Sequence, residues 1–464
     1  MATSSESSGM TRRGALRAAG ALAAALPAVA AGTGVAIAKP PPLPIGPAIP
    51  PGRQVTLTPI LSGEQFPIGA IWPPPPTQIT QSRLQEMKNA GINFFITGNY
   101  LDDGNIVTYT LGVADAVGGL HVIVRDDHDV ANLARWFTIT DNRAVPMSIS
   151  PSDAVAMANR AFGTYAAYPS FAGFSLLEDT EPWTYGNLNA VVTALRAANP
   201  YYLRYSNLPP GSGPGYQASV VDYAGKVGAQ MLSFDRYPIM ADGTNDAGYV
   251  SNWADMRAAA AQTGLPAWGY IQTCGFDGHR SPSYDDIAWQ VNTSLAYGAK
   301  GVQYFPYWTP GPDRGGNFQP AMIDLLGRRT QHYYDVQDIN NGTLSGVGNQ
   351  LRTMRSESVT HANDSVAPAR TARFGPDNYL TDASGDAVVL SRFVDKAGDR
   401  WLFVVNRSHR TAAKATLRLR SSAVARVSQF DSRSRKVTAQ RDAGGISVSL
   451  RPGASALYHL AAHS

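Results

Sequence analysis

Four consecutive residues, Glu178-Asp179-Thr180-Glu181, set three carboxylates where an apolar run over 171–177 breaks off. Packing has no use for such a cluster, because like charges this close repel one another and resist burial. Acid–base chemistry does, because neighbouring carboxyl groups push one another's proton affinities apart. A solvated loop with a helix-capping Asp is the plain alternative for the same residues. Further on, Ser233-Phe234-Asp235-Arg236-Tyr237-Pro238 ends a second apolar run in a single carboxylate, with Arg236 beside it to bias its charge. A structural ion pair between Asp235 and an arginine is the alternative there. Arg125-Asp126-Asp127-His128 closes a third run and reads equally as substrate contact or as loop.

Two carboxyl groups flanking one bond are what glycoside hydrolysis requires. One is protonated to assist the leaving oxygen, and the other is ionised as nucleophile or as base for water. Glu181 is the candidate general acid and Asp235 its partner, with Asp179 and Glu178 as the further acids of the same turn. Sugar rings pack their C–H faces on flat aromatics, and Trp72, Trp183, Tyr237, Trp268, Tyr304 and Trp308 all fall at or near run ends. Any one of them is more simply a core residue; their recurrence at successive ends favours a sugar cleft. Asn99, Asn207 and Gln272, with Asp126 and Asp127, are candidate partners for sugar hydroxyls. No cofactor motif and no metal-ligand pattern stands in the sequence, so neither a cofactor nor a metal is expected.

These residues need a frame that brings run ends together. From residue 66 to 308, short apolar runs alternate with amphipathic stretches, the pattern of repeated β-α units. Strands are predicted at 68–72, 92–97, 121–125, 171–177, 201–205, 231–234, 266–272 and 301–305, with helices between them at 80–90, 152–167, 188–198, 250–263 and 285–297. Eight strands close a (β/α)8 TIM barrel, whose chemistry sits at the strand C-terminal ends. A doubly wound open sheet is the alternative, disfavoured because Pro73-Pro74-Pro75-Pro76 follows the first strand where a Gly-rich fingerprint would stand. A helix is expected over 325–354, an irregular connection over 357–384, and then six strands at 388–393, 401–406, 415–419, 424–430, 446–450 and 456–460, a small all-β sandwich. The fold class is therefore α/β, a (β/α)8 barrel over 61–356 followed by a connecting segment over 357–384 and a β-sandwich over 385–464.

The first 38 residues read as a targeting segment. Thr11-Arg12-Arg13-Gly14 supplies a twin-arginine pair, a mild Ala-rich stretch follows, and Ala36-Ile37-Ala38 suits cleavage, the pattern of twin-arginine export. A Pro-rich tether spans 39–60. The apolar stretch is too short for a membrane anchor, so the expected destination is extracellular. Charged residues make up only 16% of the chain, against roughly 25% in globular proteins. The formal net charge is +4, but from residue 385 onward 14 Lys and Arg face 5 Asp and Glu, which leaves 39–384 acidic. The basic residues show no aromatic interleaving, so nucleic acid is not the expected partner; a carbohydrate is. The single cysteine, Cys274, excludes an intrachain disulfide.

The stretch from 66 to about 354 resembles the glycoside hydrolase (β/α)8 barrels, particularly the broad clan containing the family 42 β-galactosidases. Glu181-Pro182, Ser233-Phe234-Asp235-Arg236-Tyr237-Pro238 and Leu295-Ala296-Tyr297-Gly298-Ala299-Lys300-Gly301 leading into Tyr304-Phe305-Pro306-Tyr307-Trp308 are similar to one bacterial branch of it. The resemblance implies an acid/base at Glu181. In family 42 the nucleophile is a Glu ending strand seven, where this chain has Gln272; the α-galactosidase clan instead pairs carboxylates on strands four and six, an arrangement Asp235 suits. A carbohydrate-binding barrel without catalysis is the alternative that Gln272 motivates, and a cofactor-bearing oxidoreductase is a remoter one.

Overall fold

The computed structural model describes residues 59–130, 133, 149–438, 441–442 and 444–463. The twin-arginine segment, and the tether up to residue 58, lie outside the described residues. Eight parallel strands, β1 (Ile68–Ile71), β2 (Phe94–Ile96), β3 (His121–Val124), β4 (Phe171–Leu177), β5 (Leu203–Ser206), β6 (Leu232–Phe234), β7 (Ala267–Gln272) and β8 (Gly301–Phe305), form one sheet in the order β5-β4-β3-β2-β1-β8-β7-β6. A single parallel bridge, Leu208 to Phe234, closes the ring between β5 and β6. Every strand is followed by a helix: α1 (Gln81–Asn89), α2 (Gly104–Val117), α3 (Pro151–Tyr165), α4 (Tyr185–Ala198), α5 (Pro214–Tyr223), α6 (Tyr249–Thr263), α7 (Tyr284–Ala296) and α8 (Gln331–Ile339). This is the expected (β/α)8 barrel.

Local chemistry sets the helix starts. Thr80 accepts the Arg83 N–H at the head of α1, and Ser283 and Asp286 form a capping box on α7. For α3 the cap is Ser150, whose hydroxyl oxygen accepts the Asp153 N–H, with Pro151 in the first turn. Gly264 leaves α6 at φ 72°, a left-handed exit that glycine makes without strain.

Two stretches differ from expectation. The 325–354 helix begins only at Gln331, because the Asp324 carboxylate gathers the Leu326 and Arg328 N–H groups (2.9 and 2.8 Å) and the Arg328 Nε (2.7 Å) into a turn. Past Ile339 it widens into a π-helical segment, Asn340–Gly348, which carries three glycines. A Cβ on Gly346 would lie 2.2 Å from the Ser432 carbonyl oxygen, so glycine is what lets the sandwich approach there. The second is 357–384: β9 (Arg355–Ala362) is an ordered strand paired antiparallel with β12 (Val388–Val394), and β11 (Leu380–Gly385) pairs with β14 (Ala413–Leu419). Polar residues fill most positions of β9, which hides it from a hydrophobic pattern.

The remaining strands are β10 (Ala372–Arg373), β13 (Arg400–Asn406), β15 (Arg426–Asp431), β16 (Lys436–Val437), β17 (Arg441–Asp442), β18 (Ile446–Leu450) and β19 (Ser455–Ala461). They make one sheet around β9-β12-β13-β19-β15 and a three-stranded sheet β11-β14-β18. One apolar core runs from the barrel into the larger sheet through Phe393, Trp401, Phe403 and Leu457. Between the two bodies lies α7, buried from Asp286 to Ala296, with Trp289 Nε1 donating to the Arg407 carbonyl (3.2 Å) and Asn292 Nδ2 to the Gly453 carbonyl (2.8 Å).

Candidate active site

Side chains on a strand alternate in direction, so residues two apart point the same way. On β5, β6 and β7 this parity sends Tyr205 and Asn207, Ser233 and Asp235, and Tyr270 and Gln272 into the barrel. All but Gln272 meet in a continuous buried network. Gln303 Nε2, from β8, donates to the Tyr205 hydroxyl (3.0 Å) and to Ser233 Oγ (3.1 Å). The Tyr205 hydroxyl lies 3.0 Å from that of Tyr270 and 2.9 Å from Ser233 Oγ. Ser233 Oγ donates to Asn207 Oδ1 (2.7 Å), and Asn207 Nδ2 donates to Asp235 Oδ1 (2.6 Å). Asn207 is 0% and Asp235 1% exposed. A satisfied polar network in a low-dielectric interior rigidifies what it holds, and its end point is the Asp235 carboxyl group in a short hydrogen bond. Arg236, by the same parity, faces away from Asp235. Its Nε and Nη2 grip Asp246 at 2.5 and 2.9 Å.

Asn207 also reaches the acidic turn. Its N–H donates to the Leu177 carbonyl (2.9 Å) and its carbonyl accepts the Thr180 N–H (2.8 Å). Three hydrogen bonds through one residue therefore link the end of β4 and its turn to Asp235, just past β6. Within the turn Asp179 is buried at φ 49°, a left-handed conformation that Asp tolerates better than most residues. Glu181 is partly buried; its Oε2 accepts Trp183 Nε1 at 2.6 Å, and its carbonyl caps the following turn through the Thr184 N–H (2.8 Å) and Oγ1 (2.7 Å). The indole fixes the direction in which that carboxyl faces. Glu178 is partly buried beside them.

The other predicted residues divide. Trp72, at φ 63° where β1 ends, stacks on the Arg314 guanidinium (5.1 Å to the ring centre), and Tyr100 covers the same guanidinium at 3.8 Å. Tyr100 is 52% exposed and its hydroxyl bonds Asp313, so it offers a ring at the rim that the sequence reading did not single out. Asp127 is exposed, yet partial loss of solvent around its carboxyl, with the neighbouring charges of Asp126, Asp103 and Asp102, raises its pKa. Asp126 and Asn99 are structural: Asp126 accepts the Val130 N–H and the Tyr165 hydroxyl, both at 2.6 Å, and Asn99 Nδ2 donates to the Pro73 carbonyl at 2.7 Å.

Several expected sugar contacts are turned elsewhere. Trp268 lies near the start of β7, 0% exposed, with its ring 5.0 Å from that of Phe94 on the barrel floor. Tyr304 has the outward parity of β8 and donates its hydroxyl to Asn340 Oδ1 (2.6 Å) in the helical layer. Tyr237 is buried against Phe276 and Phe305, and Trp308 against Arg83. Gln272, at the end of β7, is 0% exposed; Oε1 accepts the Ile239 N–H (3.2 Å) and Nε2 donates to the carbonyls of Cys274 (3.1 Å) and Arg280 (2.9 Å). Its amide organises two loops rather than facing a sugar. Conversely, Tyr205, Ser233, Tyr270 and Gln303 escaped the sequence reading. Polar residues at spacing two in otherwise apolar strands were the signal.

Among the described residues no group of three or more His, Cys, Asp or Glu could hold a metal ion. Cys274 is buried, which raises its thiol pKa and leaves it a poor nucleophile. A cavity of about 690 Å³ opens at the opposite, N-terminal end of the barrel. Its amides are spent on structure: Asn93 on Phe66 and Ile68, Asn349 on Phe66, and Asn340 on Ala90 and Tyr304. The rim is the better site, because barrel chemistry belongs at the strand C-terminal ends.

No protein-family model matches this sequence, and no curated protein matches it. Solved structures do. A glycoside hydrolase family 5 protein from Bacteroides vulgatus superposes with a TM-score of 0.53 over 86% of this chain and 89% of its own, at 13% identity. Another, described as a glycoside hydrolase, gives 0.53 over 85% and 92%, also at 13%. At such identity the likeness is one of fold: a (β/α)8 barrel with a C-terminal β-sandwich.

Proposed function

We propose that this chain is an exported glycoside hydrolase, acting on a polysaccharide or on oligosaccharides cut from one, with Glu181 as general acid and Asp235 as its ionised partner. The observation that carries the reading is Asn207, whose backbone holds the turn bearing Glu181 while its side chain holds Asp235. Each partner suits its role. The Trp183 indole orients the Glu181 carboxyl so that a proton can be delivered along one direction to a departing sugar oxygen. Asp235, anchored from below by Asn207, either attacks the anomeric carbon or takes a proton from water. Tyr100, half-exposed, gives the neighbouring rim a flat surface for a sugar ring, while Trp72 lies buried beneath Arg314. The barrel likeness to glycoside hydrolases supports the class, and the twin-arginine pair with its apolar stretch supports export.

The test is release of reducing sugar from a broad glycan panel by the wild type and by Glu181→Gln and Asp235→Asn. Loss of a general acid or base costs about 10²- to 10⁴-fold, so both variants should fall at least that far with an unchanged circular dichroism spectrum. Full activity in both refutes the assignment. Saturable binding without turnover by the wild type makes this a carbohydrate-binding barrel instead.

A further inference from the structure

The sandwich touches the barrel in more than a packing seam. Three loops at the catalytic rim, those following β5, β6 and β7, each receive a polar side chain or a relayed contact from it. The loop between β13 and β14 sends His409 inward, with its side chain 4% exposed. Nδ1 meets the Asp286 carboxylate, and Nε2 lies 2.8 Å from Asn245 Oδ1. Asp286, in the first turn of α7, holds the loop after β7: it also binds Arg280 at 2.6 and 3.0 Å, and the Arg280 carbonyl accepts the Gln272 amide. Asn245 belongs to the loop after β6. Its neighbour Asp246 grips Arg236, the residue next to Asp235, and donates its N–H to the Pro238 carbonyl (2.9 Å). His409 thus stands as a wedge between the two loops.

A second arm of the sandwich, the segment between β9 and β10, reaches the third loop. Arg370 pairs through Nε with Asp255 on α6, and Asp255 Oδ2 accepts the Gly213 N–H at 2.7 Å. Beside it, Asn252 Oδ1 accepts the Gly211 N–H at 3.0 Å. Gly211 and Gly213 lie in the short loop that runs from Asn207 to α5. Asp255 is 1% exposed, so its charge depends on those partners.

We infer that the C-terminal sandwich is part of the catalytic scaffold, with His409 and Arg370 as positioning residues that fix the loops carrying Asn207 and Asp235. Neither touches the reacting atoms. Their effect passes through Asn245 and Asp286 in one case and through Asp255 and Gly213 in the other. The functional consequence rests on the hydrolase reading above; the mechanical linkage does not.

Hydrogen exchange on the full chain, without substrate and well below melting, tests the linkage. Arg370→Ala should raise exchange at residues 208–213 about tenfold, and Arg370→Lys should recover part of it. Asn245→Ala removes only the Nε2 partner and leaves the Asp286 pair, so the sandwich stays docked; it should raise exchange at 236–246 about tenfold. Arg418→Ala, on an exposed face of the sandwich, should change neither. Kinetics add a reading that a purely stabilising role cannot give: kcat should fall severalfold in Arg370→Ala with KM within twofold, and the Lys variant should regain it. Unchanged exchange at both loops in the Arg370→Ala and Asn245→Ala variants overturns the inference, even if the wild type hydrolyses glycans. A wild type that hydrolyses nothing overturns the hydrolase reading alone and leaves the exchange result to stand.

Discussion

Replacing Asn207 by leucine keeps the branched outline of the side chain and removes the amide that joins the acidic turn to Asp235. The backbone bonds to Leu177 and Thr180 survive the change, so the turn keeps its place. What is lost is the 2.6 Å hydrogen bond to Asp235 Oδ1, together with an acceptor for Ser233, which retains Tyr205 and Gln303. A hydrogen bond to a charged group contributes about 1.5–3 kcal/mol, and a buried acceptor left without its donor adds to the loss. About 2–4 kcal/mol at the reacting centre corresponds to about 30- to 900-fold in kcat/KM, at about 1.36 kcal/mol per tenfold. The assay is kcat/KM on whichever glycan the wild type cleaves, beside a thermal melt to verify folding. A loss below threefold in a well-folded variant refutes the reasoning that Asn207 holds Asp235 for chemistry.

Gln272→Glu should not create an enzyme with a strand-seven nucleophile. It sets a carboxylate against the Cys274 and Arg280 carbonyls in a fully buried place, and we expect about 2–4 kcal/mol of destabilisation by urea titration with no gain in turnover. Gly453→Ala adds a Cβ 2.3 Å from the Asp285 carbonyl oxygen at φ 65°, and should lower the melting temperature by several degrees through the α7 seam. Acid should weaken that seam. Burial pushes the Asp286 carboxyl up, but hydrogen bonds from His409, Arg280 and Ser283 outweigh it and leave it well below the usual range. Its contribution is full above the unfolded value of about 4 and is lost as pH falls further. Burial and the Arg407 charge push His361 down to about 4. The unfolded chain therefore takes up that proton first, and stability falls as pH drops from about 6.5 toward 4. A melting temperature flat between pH 6.5 and 4 would contradict the His361 reading, and one flat below pH 4 the Asp286 reading; His361→Gln should flatten the upper part of that fall.

Much of the frame was legible because barrel strands are short, apolar and bounded by turns: all eight were placed within about two residues. The misplaced elements share a cause. In β9 the alternation of Ser, Glu, Thr and His belongs to a strand edge pressed on a neighbour, so pairing with β12 supplies what composition does not. At 325–330 a single Asp side chain outbids helix propensity. At the candidate site, Asp235 and Asn207 lie where their strand-end positions put them, whereas Trp268 and Tyr304 are turned elsewhere. Being near a strand end is insufficient; a residue must also lie within the last step or two and have inward parity. Tyr304 fails the second condition and Trp268 the first. The Tyr205, Ser233, Tyr270 and Gln303 network satisfies parity but looks like strand filler until the neighbours are known.

The pair formed by Phe94 and Trp268 has a consequence for traffic. It exists because Gly69 and Gly301 lack side chains: a Cβ on either would fall within 2.0 Å and 2.6 Å of the rings, respectively. Two bulky rings in the space vacated by two glycines stopper the tube, so the rim and the cavity at the far end do not communicate. A long chain offered to the rim therefore cannot thread through the barrel; it has to lie across the opening or insert one end.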